Sequence, residues 1–380
     1  MLSFLLLLYQ TPFTFVLLSR LVSAPRRIPP LEPKLDKEKR SVSVVIPTLN
    51  ERERLPHCLA GLQEQPIGEV IIVDSRSTDG TREYVEMLQG QYPLPLKLVT
   101  DPPLPPDWVG RPWALNYGWQ QSDPSYKWLL GLDADTIPQP GLVAAVVDTG
   151  ETEDWDILTL APQFIVVHPG EQWLQPSLLL TLVYRFGASG DRRQFSEQRV
   201  MANGQCFLAK KAVLQALGGY SLAKSSFCDD VTLVRAAAQR GYKVGFLDGA
   251  KVLQVRMYTS MAETWREWGR SLDLKDAATP LSTWGDCLYL LAVQGLPLFV
   301  LGGIGAAGAQ SIVDFSLLAL NLGLLLIRFL LLFAIRPSYR AVGLWYWLSP
   351  LSDPLAVLRI WLSALQKPKI WRGRLYSNLG

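Results

Sequence analysis

The sequence predicts an α/β domain on a mainly parallel sheet, flanked at both ends by apolar segments of membrane-spanning length. Between residues 41 and 256, short β-branched runs alternate with helical stretches, the pattern of βαβ units. Residues 1–22, 286–309 and 312–335 are apolar runs long enough to approach a bilayer's thickness. The chain of 380 residues is 49% hydrophobic and only 19% charged. With a mean hydropathy of +0.14, it has too little charge for an ordinary soluble enzyme.

Composition also excludes several functions. A net charge of +3 is too mild for nucleic acid as the main partner. The four cysteines, Cys58, Cys206, Cys228 and Cys287, are scattered without a CxxC, which argues against a disulfide framework or a zinc site. With only two histidines, His57 and His168, a His-rich metal centre is ruled out and Ser-His-Asp or Cys-His catalysis is disfavoured.

Taken in order, residues 1–22 read as a membrane anchor. Arg20, Arg26 and Arg27 follow and hold its C-terminal end on the cytoplasmic side by the positive-inside rule. Residues 23–40, rich in Pro and charge, read as a linker. Residues 41–256 form the α/β domain, with strands expected at 42–46, 69–73, 96–99 and 127–132 and a helix opening at Gly80-Thr81. Residues 257–284 read as an amphipathic interfacial helix region, because Met261, Trp265, Trp268 and Leu272 fall at i, i+4, i+7 and i+11. A second apolar face runs through Trp173, Leu178, Leu182 and Phe186. Both stripes fit core packing as well as lipid contact. Residues 285–335 are expected to form a transmembrane hairpin. Residues 336–380 follow as a re-entrant or interfacial segment with a basic tail, since Pro350, Asp353 and Pro354 oppose a clean span.

Polar motifs follow the strands, at the edge where open α/β sheets bind ligands. Pro47-Thr48-Leu49-Asn50-Glu51 ends the first strand and reads equally as turn chemistry before a helix. Asp74 ends the second, where a carboxylate can accept hydrogen bonds from a base or ribose. In Gly110-Arg111, a guanidinium beside a glycine suits diphosphate contact. The Pro-rich stretch 101–107 ahead of it predicts a long loop. Asp133-Ala134-Asp135 places two carboxylates one residue apart after an apolar strand, the oxygen set that Mg²⁺ or Mn²⁺ shares with substrate phosphates. Asp229-Asp230 opens a helix, where acidic residues are ordinary N-terminal chemistry but also suit a carboxylate base.

Jointly these motifs resemble the family 2 glycosyltransferases of the GT-A fold, over roughly residues 41–270. The family's P-x-x-N-E is matched by Pro47, Asn50 and Glu51. Its D-D-x-S-x-D-x-T is matched by Asp74, Ser77, Asp79 and Thr81, with Ser75 in place of the second Asp. Its G-K/R-x-x-A-L-N-x-G is matched by Gly110, Arg111, Ala114, Leu115, Asn116 and Gly118. The resemblance implies a Rossmann-like GT-A domain binding a nucleotide-diphosphate sugar through Pro47, Asn50, Glu51, Asp74, Gly110, Arg111 and Asp133. It also implies Mg²⁺ or Mn²⁺ on Asp135 and Asp133, and a base Asp230 beside Asp229. The family's Q-x-x-R-W is not intact, which leaves Trp265, Arg266, Trp268 and Arg270 as acceptor-side candidates. The apolar ends are similar to those of membrane-bound carotenoid glycosyltransferases, in particular the carotenoid 2-O-glycosyltransferases of photosynthetic bacteria. That similarity implies a lipophilic hydroxylated acceptor, a lipid bilayer as partner, and an integral bacterial membrane protein whose catalytic domain faces the cytoplasm. A ceramide- or hopanoid-type transferase, a polyprenyl-phosphate sugar synthase and an inactive membrane scaffold are the alternatives.

Overall fold

The computed structural model describes residues 1–22, 27–36, 38, 40–190, 197–269, 272, 274–366, 370–371 and 374–375. Arg26, Arg270 and most of the basic tail lie outside the described residues. The chain divides into two compact units. One, an α/β unit, takes residues 28–164, 192–257 and 369–380. The other, a helical unit, takes residues 1–27, 165–191 and 258–368.

In the α/β unit the strands are β1 (Val42–Thr48), β2 (Glu69–Asp74), β3 (Leu96–Val99), β4 (Trp128–Leu132), β5 (Thr136–Pro138), β6 (Ile157–Ala161), β7 (Gln163–Phe164), β8 (Cys206–Lys210), β9 (Val244–Asp248) and β10 (Leu253–Val255). Seven of them form one sheet in the order β3-β2-β1-β4-β8-β6-β9. All its pairings are parallel except those of β8, which runs antiparallel to β4 and β6. The fold class is therefore α/β with a mainly parallel sheet, as the alternating pattern predicts. Strands β1, β2 and β4 are near-continuous apolar runs, almost wholly buried, as a sheet covered on both faces requires.

Register decides what meets at the sheet edge. Thr48 pairs with Asp74, so the motifs after β1 and β2 are neighbours. Leu132 pairs with Cys206. Because β8 is reversed, its lead-in Asn203-Gly204-Gln205 reaches the edge where β4 ends in Asp133. Helix Gly110–Gln120 lies directly on the sheet. A Cβ at Gly118 would stand 2.4 Å from Val45 Cγ1 and 2.8 Å from Val73 Cγ2, so glycine sets this close approach.

The described part of the proposed linker packs on this unit. Leu31 is buried in the main core, and its N–H donates to the Asp248 carbonyl at 2.8 Å. Pro29, Pro30 and Pro33 favour an extended chain, and Ile28 and Leu31 give it apolar anchors.

In the helical unit, Leu2–Leu21 and Ile312–Ser338 are long and apolar enough to cross a membrane. The helices Pro280–Gly295 and Pro297–Ala307 reach that length only as one span bent by 43°. The bend follows a π turn at Leu291–Gly295 and coincides with Pro297, two recognised causes of kinks. Residues 342–365 hold no spanning helix. A turn at Leu344–Trp347, a 3-10 turn at Ser349–Ser352 and helix Asp353–Leu365 are separated where Pro350 and Pro354 fall.

The stripe expected from Met261 to Leu272 is not one helix. A short turn, Met261–Glu263, widens into a π turn at Thr264–Trp268 and stops at Gly269. The spacing of the stripe assumed 3.6 residues per turn, which a π turn does not keep. Trp265 and Trp268 are half-buried against this unit's own core, which also takes Leu178 and Leu272. The Arg359 Nε donates to the Trp265 carbonyl at 2.7 Å.

Polar side chains inside these apolar helices are paired. Arg328 Nε donates to Asp353 Oδ2 at 2.7 Å, and its Nη2 reaches Ser177 and Ser349. Gln294 donates to Asp353 Oδ1 at 3.0 Å. Gln10 and Asn321 exchange amide hydrogen bonds at 3.0 and 2.9 Å. Arg328→Met should leave Asp353 buried and uncompensated, at a cost of about 3–5 kcal/mol. The double change Arg328→Met, Asp353→Leu should recover most of that loss. Thermal unfolding in detergent checks the order, with the single variant melting below the double.

Candidate active site

The loops after β1 and β2 are laced together by the motif side chains. Asn50, in the left-handed region at φ 58°, accepts from the Thr78 N–H at 2.8 Å, and its own N–H donates to Ser77 Oγ at 2.9 Å. The Glu51 N–H donates to Thr81 Oγ1, and the Arg52 N–H donates to Asp79 Oδ2. Asp79 also accepts from the Thr81 N–H, and these bonds outweigh its desolvation and lower its pKa. Asp74 is fully buried, accepting from Thr48 Oγ1 at 3.3 Å and from the Ser77 N–H at 3.2 Å. Glu51 is buried and paired with Arg54 at 3.1 Å. Ser75, where the resembling family has Asp, donates to Asp101 at 2.9 Å and so ties β2 to the start of the Pro-rich loop. That loop is pinned further by Trp113, whose Nε1 donates to the Pro102 carbonyl and whose ring meets Trp108 edge-on at 5.0 Å.

A second group gathers where β4 ends. Asp133 follows that strand, Asp229 and Asp230 open helix Asp229–Gln239, and Arg111 sits in the first turn of helix Gly110–Gln120. The Arg111 guanidinium joins them. Its Nε donates to Asp133 Oδ1 at 2.9 Å, its Nη1 to Asp229 Oδ2, and its Nη2 to the Gly204 carbonyl at 2.6 Å. The grip on phosphate expected of Arg111 is thus occupied by carboxylates and a backbone carbonyl. Arg54 Nη1 stands 4.0 Å from Asp135 Oδ2.

Four carboxylates therefore share a buried site with one deeply held cation. Burial raises the pKa values of Asp135, Asp229 and Asp230, and the attraction of Arg111 does not offset it. For Asp135 the charge of Asp133 adds to the rise. Such an excess of oxygen ligands suits a hard divalent cation. Among the described residues no group of three or more His, Cys, Asp or Glu is arranged to hold a metal. As a pair, Asp133 and Asp135 would hold Mg²⁺ or Mn²⁺ only with further ligands from substrate phosphates and water.

Two further residues, Gly204 and Tyr220, belong to this site and were not read from the sequence. A Cβ at Gly204 would meet Arg111 Nη2 at 2.6 Å, so the guanidinium occupies the space of a missing side chain. Asn116, matched to a motif position, accepts from the Tyr220 N–H at 3.1 Å. Tyr220 itself is buried, and its hydroxyl has no hydrogen-bond partner among the described residues. The signals were present as the turn dipeptides Asn203-Gly204 and Gly218-Gly219, but nothing local pointed to Arg111. Trp265, Arg266 and Trp268 belong to the helical unit, where Arg266 is exposed and paired with Glu267 at 3.0 Å. Arg270 lies outside the described residues.

The profile of Glycosyl transferase family 2 matches residues 43–218, and that of Glycosyl transferase family 21 matches residues 188–378, half of the chain. The chain is 25% identical over 239 residues to a Bacillus subtilis (strain 168) protein named Probable glycosyltransferase YdaM, covering 62% of this chain and 54% of that one. It is 23% identical over 241 residues to the 4,4'-diaponeurosporenoate glycosyltransferase of Staphylococcus haemolyticus (strain JCSC1435), covering 63% of each. It thus spans between half and two thirds of the length of these curated relatives. Among solved structures, glucosyl-3-phosphoglycerate synthase from Mycobacterium tuberculosis with phosphoglyceric acid aligns at a TM-score of 0.44 and 18% identity, over 63% of this chain and 80% of that one. S. aureus TarS 1–349 aligns at 0.40 and 16%, over 71% and 75%.

Gly204→Ala should force the Arg111 guanidinium off its seat and cost about 1–3 kcal/mol by overpacking. Thermal unfolding of the purified chain measures it, and an unchanged melting temperature would mean the seat yields freely.

Proposed function

The chain belongs to glycosyl transferase family 21 and carries a family 2 glycosyl transferase domain, and on that premise we propose that it moves a sugar, with inversion, from a nucleotide-diphosphate sugar to the hydroxyl of a membrane lipid. The observation that carries this reading is the buried carboxylate cluster around Arg111, at the sheet edge where α/β folds bind ligands.

Asp74 and Glu51, at the ends of neighbouring strands, hold the nucleoside. Asp133 and Asp135 would hold Mg²⁺ or Mn²⁺, which would supply positive charge to neutralise the diphosphate as it leaves. Asp230 accepts the proton of the acceptor hydroxyl as its oxygen attacks the anomeric carbon. The bond from that carbon to the phosphate oxygen breaks, and its electron pair leaves with the nucleoside diphosphate. One displacement inverts the anomeric centre, and no covalent enzyme intermediate is needed. The raised pKa of Asp230 suits a base, because a carboxylate destabilised by burial takes a proton more readily.

A lipid acceptor accounts for helices of spanning length in a sugar-transferring chain. Their outward faces support bilayer contact, with Leu5, Leu8 and Phe15 exposed on the first and Phe315, Leu326 and Phe333 on the second. Arg20 in the last turn of the first span, and Arg336 and Arg340 at the end of the second, favour the cytoplasmic side of a bacterial membrane. A hydroxylated carotenoid is the first acceptor to test; the relative named for 4,4'-diaponeurosporenoate, a carotenoid carboxylate, supports the carotenoid class and makes a carboxylate carotenoid the second.

Membranes carrying the enzyme, given labelled nucleotide sugars, should yield a labelled lipid glycoside. Chelation should abolish it, and Mn²⁺ or Mg²⁺ should restore it. Full activity in excess chelator would remove the metal role. Asp230→Asn should lower turnover by roughly 10² to 10⁴ while donor binding persists. Near-normal transfer by that variant would point instead to a phosphate acceptor, which needs no base. Preference for a water-soluble sugar over every lipid would overturn the acceptor.

A further inference from the structure

Arg111 faces two demands. In the structure its three nitrogens are spent on Asp133, Asp229 and the Gly204 carbonyl. A diphosphate gripped by the same guanidinium must take at least one of these partners away. The Gly204 carbonyl is backbone, set by the paired start of β8. The carboxylates are therefore what Arg111 can give up, and Asp229 is the more enclosed of the two, its side chain 6% exposed against 24% for Asp133. A buried carboxylate stripped of its partner carries a large desolvation penalty.

Tyr220 leads into a 3-10 turn, Ser221–Ala223, that packs on both the helix opened by Asp229 and the helix carrying Arg111. The residue is 2% exposed, and its hydroxyl has no hydrogen-bond partner among the described residues. A buried phenol in that state needs an explanation, because an unsatisfied hydroxyl is costly and phenylalanine would fill the same space. The backbone is built to hold the ring there. The Tyr220 N–H is held by Asn116 Oδ1 at 3.1 Å, and a Cβ on Gly219 would stand 2.3 Å from that same oxygen. Phe207 of β8 covers the ring with centroids 6.3 Å apart. The phenol interacts electrostatically with Arg111, Asp229 and Asp133, and burial keeps it protonated and so a donor.

We propose that Tyr220 is a positioning residue of the catalytic cluster, a reserve hydrogen-bond donor that takes over Asp229 when Arg111 turns to the diphosphate of the donor. It keeps the Asp229-Asp230 pair in place during transfer without touching substrate. This rests on the sugar-transfer reading above only for the identity of what draws Arg111 away.

A double-mutant cycle on thermal stability tests it without any substrate. Tyr220→Phe in the otherwise native chain should leave the melting temperature unchanged or raised, since it deletes an unpartnered group. In an Arg111→Gln background, where Asp229 needs another donor, the same change should lower the melting temperature by roughly 3 °C or more. Equal effects in the two backgrounds would overturn the proposal, whether or not the wild type proves to transfer sugar. In the transfer assay, Tyr220→Phe alone should lower kcat about tenfold and leave KM for the nucleotide sugar within about twofold, the loss of one hydrogen bond to a charged group during turnover. A kcat close to wild type, or a melting temperature that falls together with kcat, would make Tyr220 a packing residue. A wild type that transfers no sugar, combined with a non-additive stability cycle, would instead overturn the transferase reading and leave Tyr220 as the partner of Asp229.

Discussion

The interaction on which the α/β unit depends is the grip of Arg111 on Asp133 and Asp229. Four carboxylates at one sheet edge repel, and burial disfavours their charge further. A single guanidinium with donors in a fixed fork reaches both sides of the cluster. Its own placement is unfavourable in one respect, because a cation in the first turn of a helix opposes the helix dipole. The carboxylates offset that cost, while Asp229 and Asp230 gain from the dipole of the helix they open. The reversed strand β8 completes the arrangement by bringing Gly204 to the same edge, with a carbonyl for Arg111 and no side chain in its way.

Seen from that cluster, the motif residues divide into two kinds. Asn50, Ser77, Asp79 and Thr81 spend their polar atoms on holding two loops together. Asn116 and Gly118 position a turn and a helix. Glu51, Asp74, Asp133, Asp135, Asp229 and Asp230 are the carboxylates on which the proposed chemistry rests. The chain belongs to glycosyl transferase family 21, and an α/β domain that is to bind a ligand at its sheet edge needs loops stiff enough to keep these groups in place beforehand.

The helical unit follows the same logic in apolar surroundings. Arg328 and Asp353 neutralise each other, and Ser177, Ser349 and Gln294 take up donors and acceptors that apolar side chains could not. Bonds of this kind are directional, so they fix how apolar helices sit against one another where hydrophobic contact alone would allow sliding.

The sequence by itself determined the α/β class, the first four strands, the spanning-length helices and the carboxylates at the strand ends. These are written in local periodicity, in apolar run length and in residue types that follow a strand directly. It did not determine that β8 runs against its neighbours, because strand direction depends on connections that no single run encodes. Nor did it show that Arg111 holds carboxylates, that Gly204 makes room for it, or that the Tyr220 hydroxyl is enclosed without a partner. Those pairings join residues some 20 to 120 positions apart. The stripe from Met261 to Leu272 failed for the related reason that a period read along the chain assumes an unbroken helix. Local pattern fixes which groups each element offers, and only the packed sheet decides which of them meet.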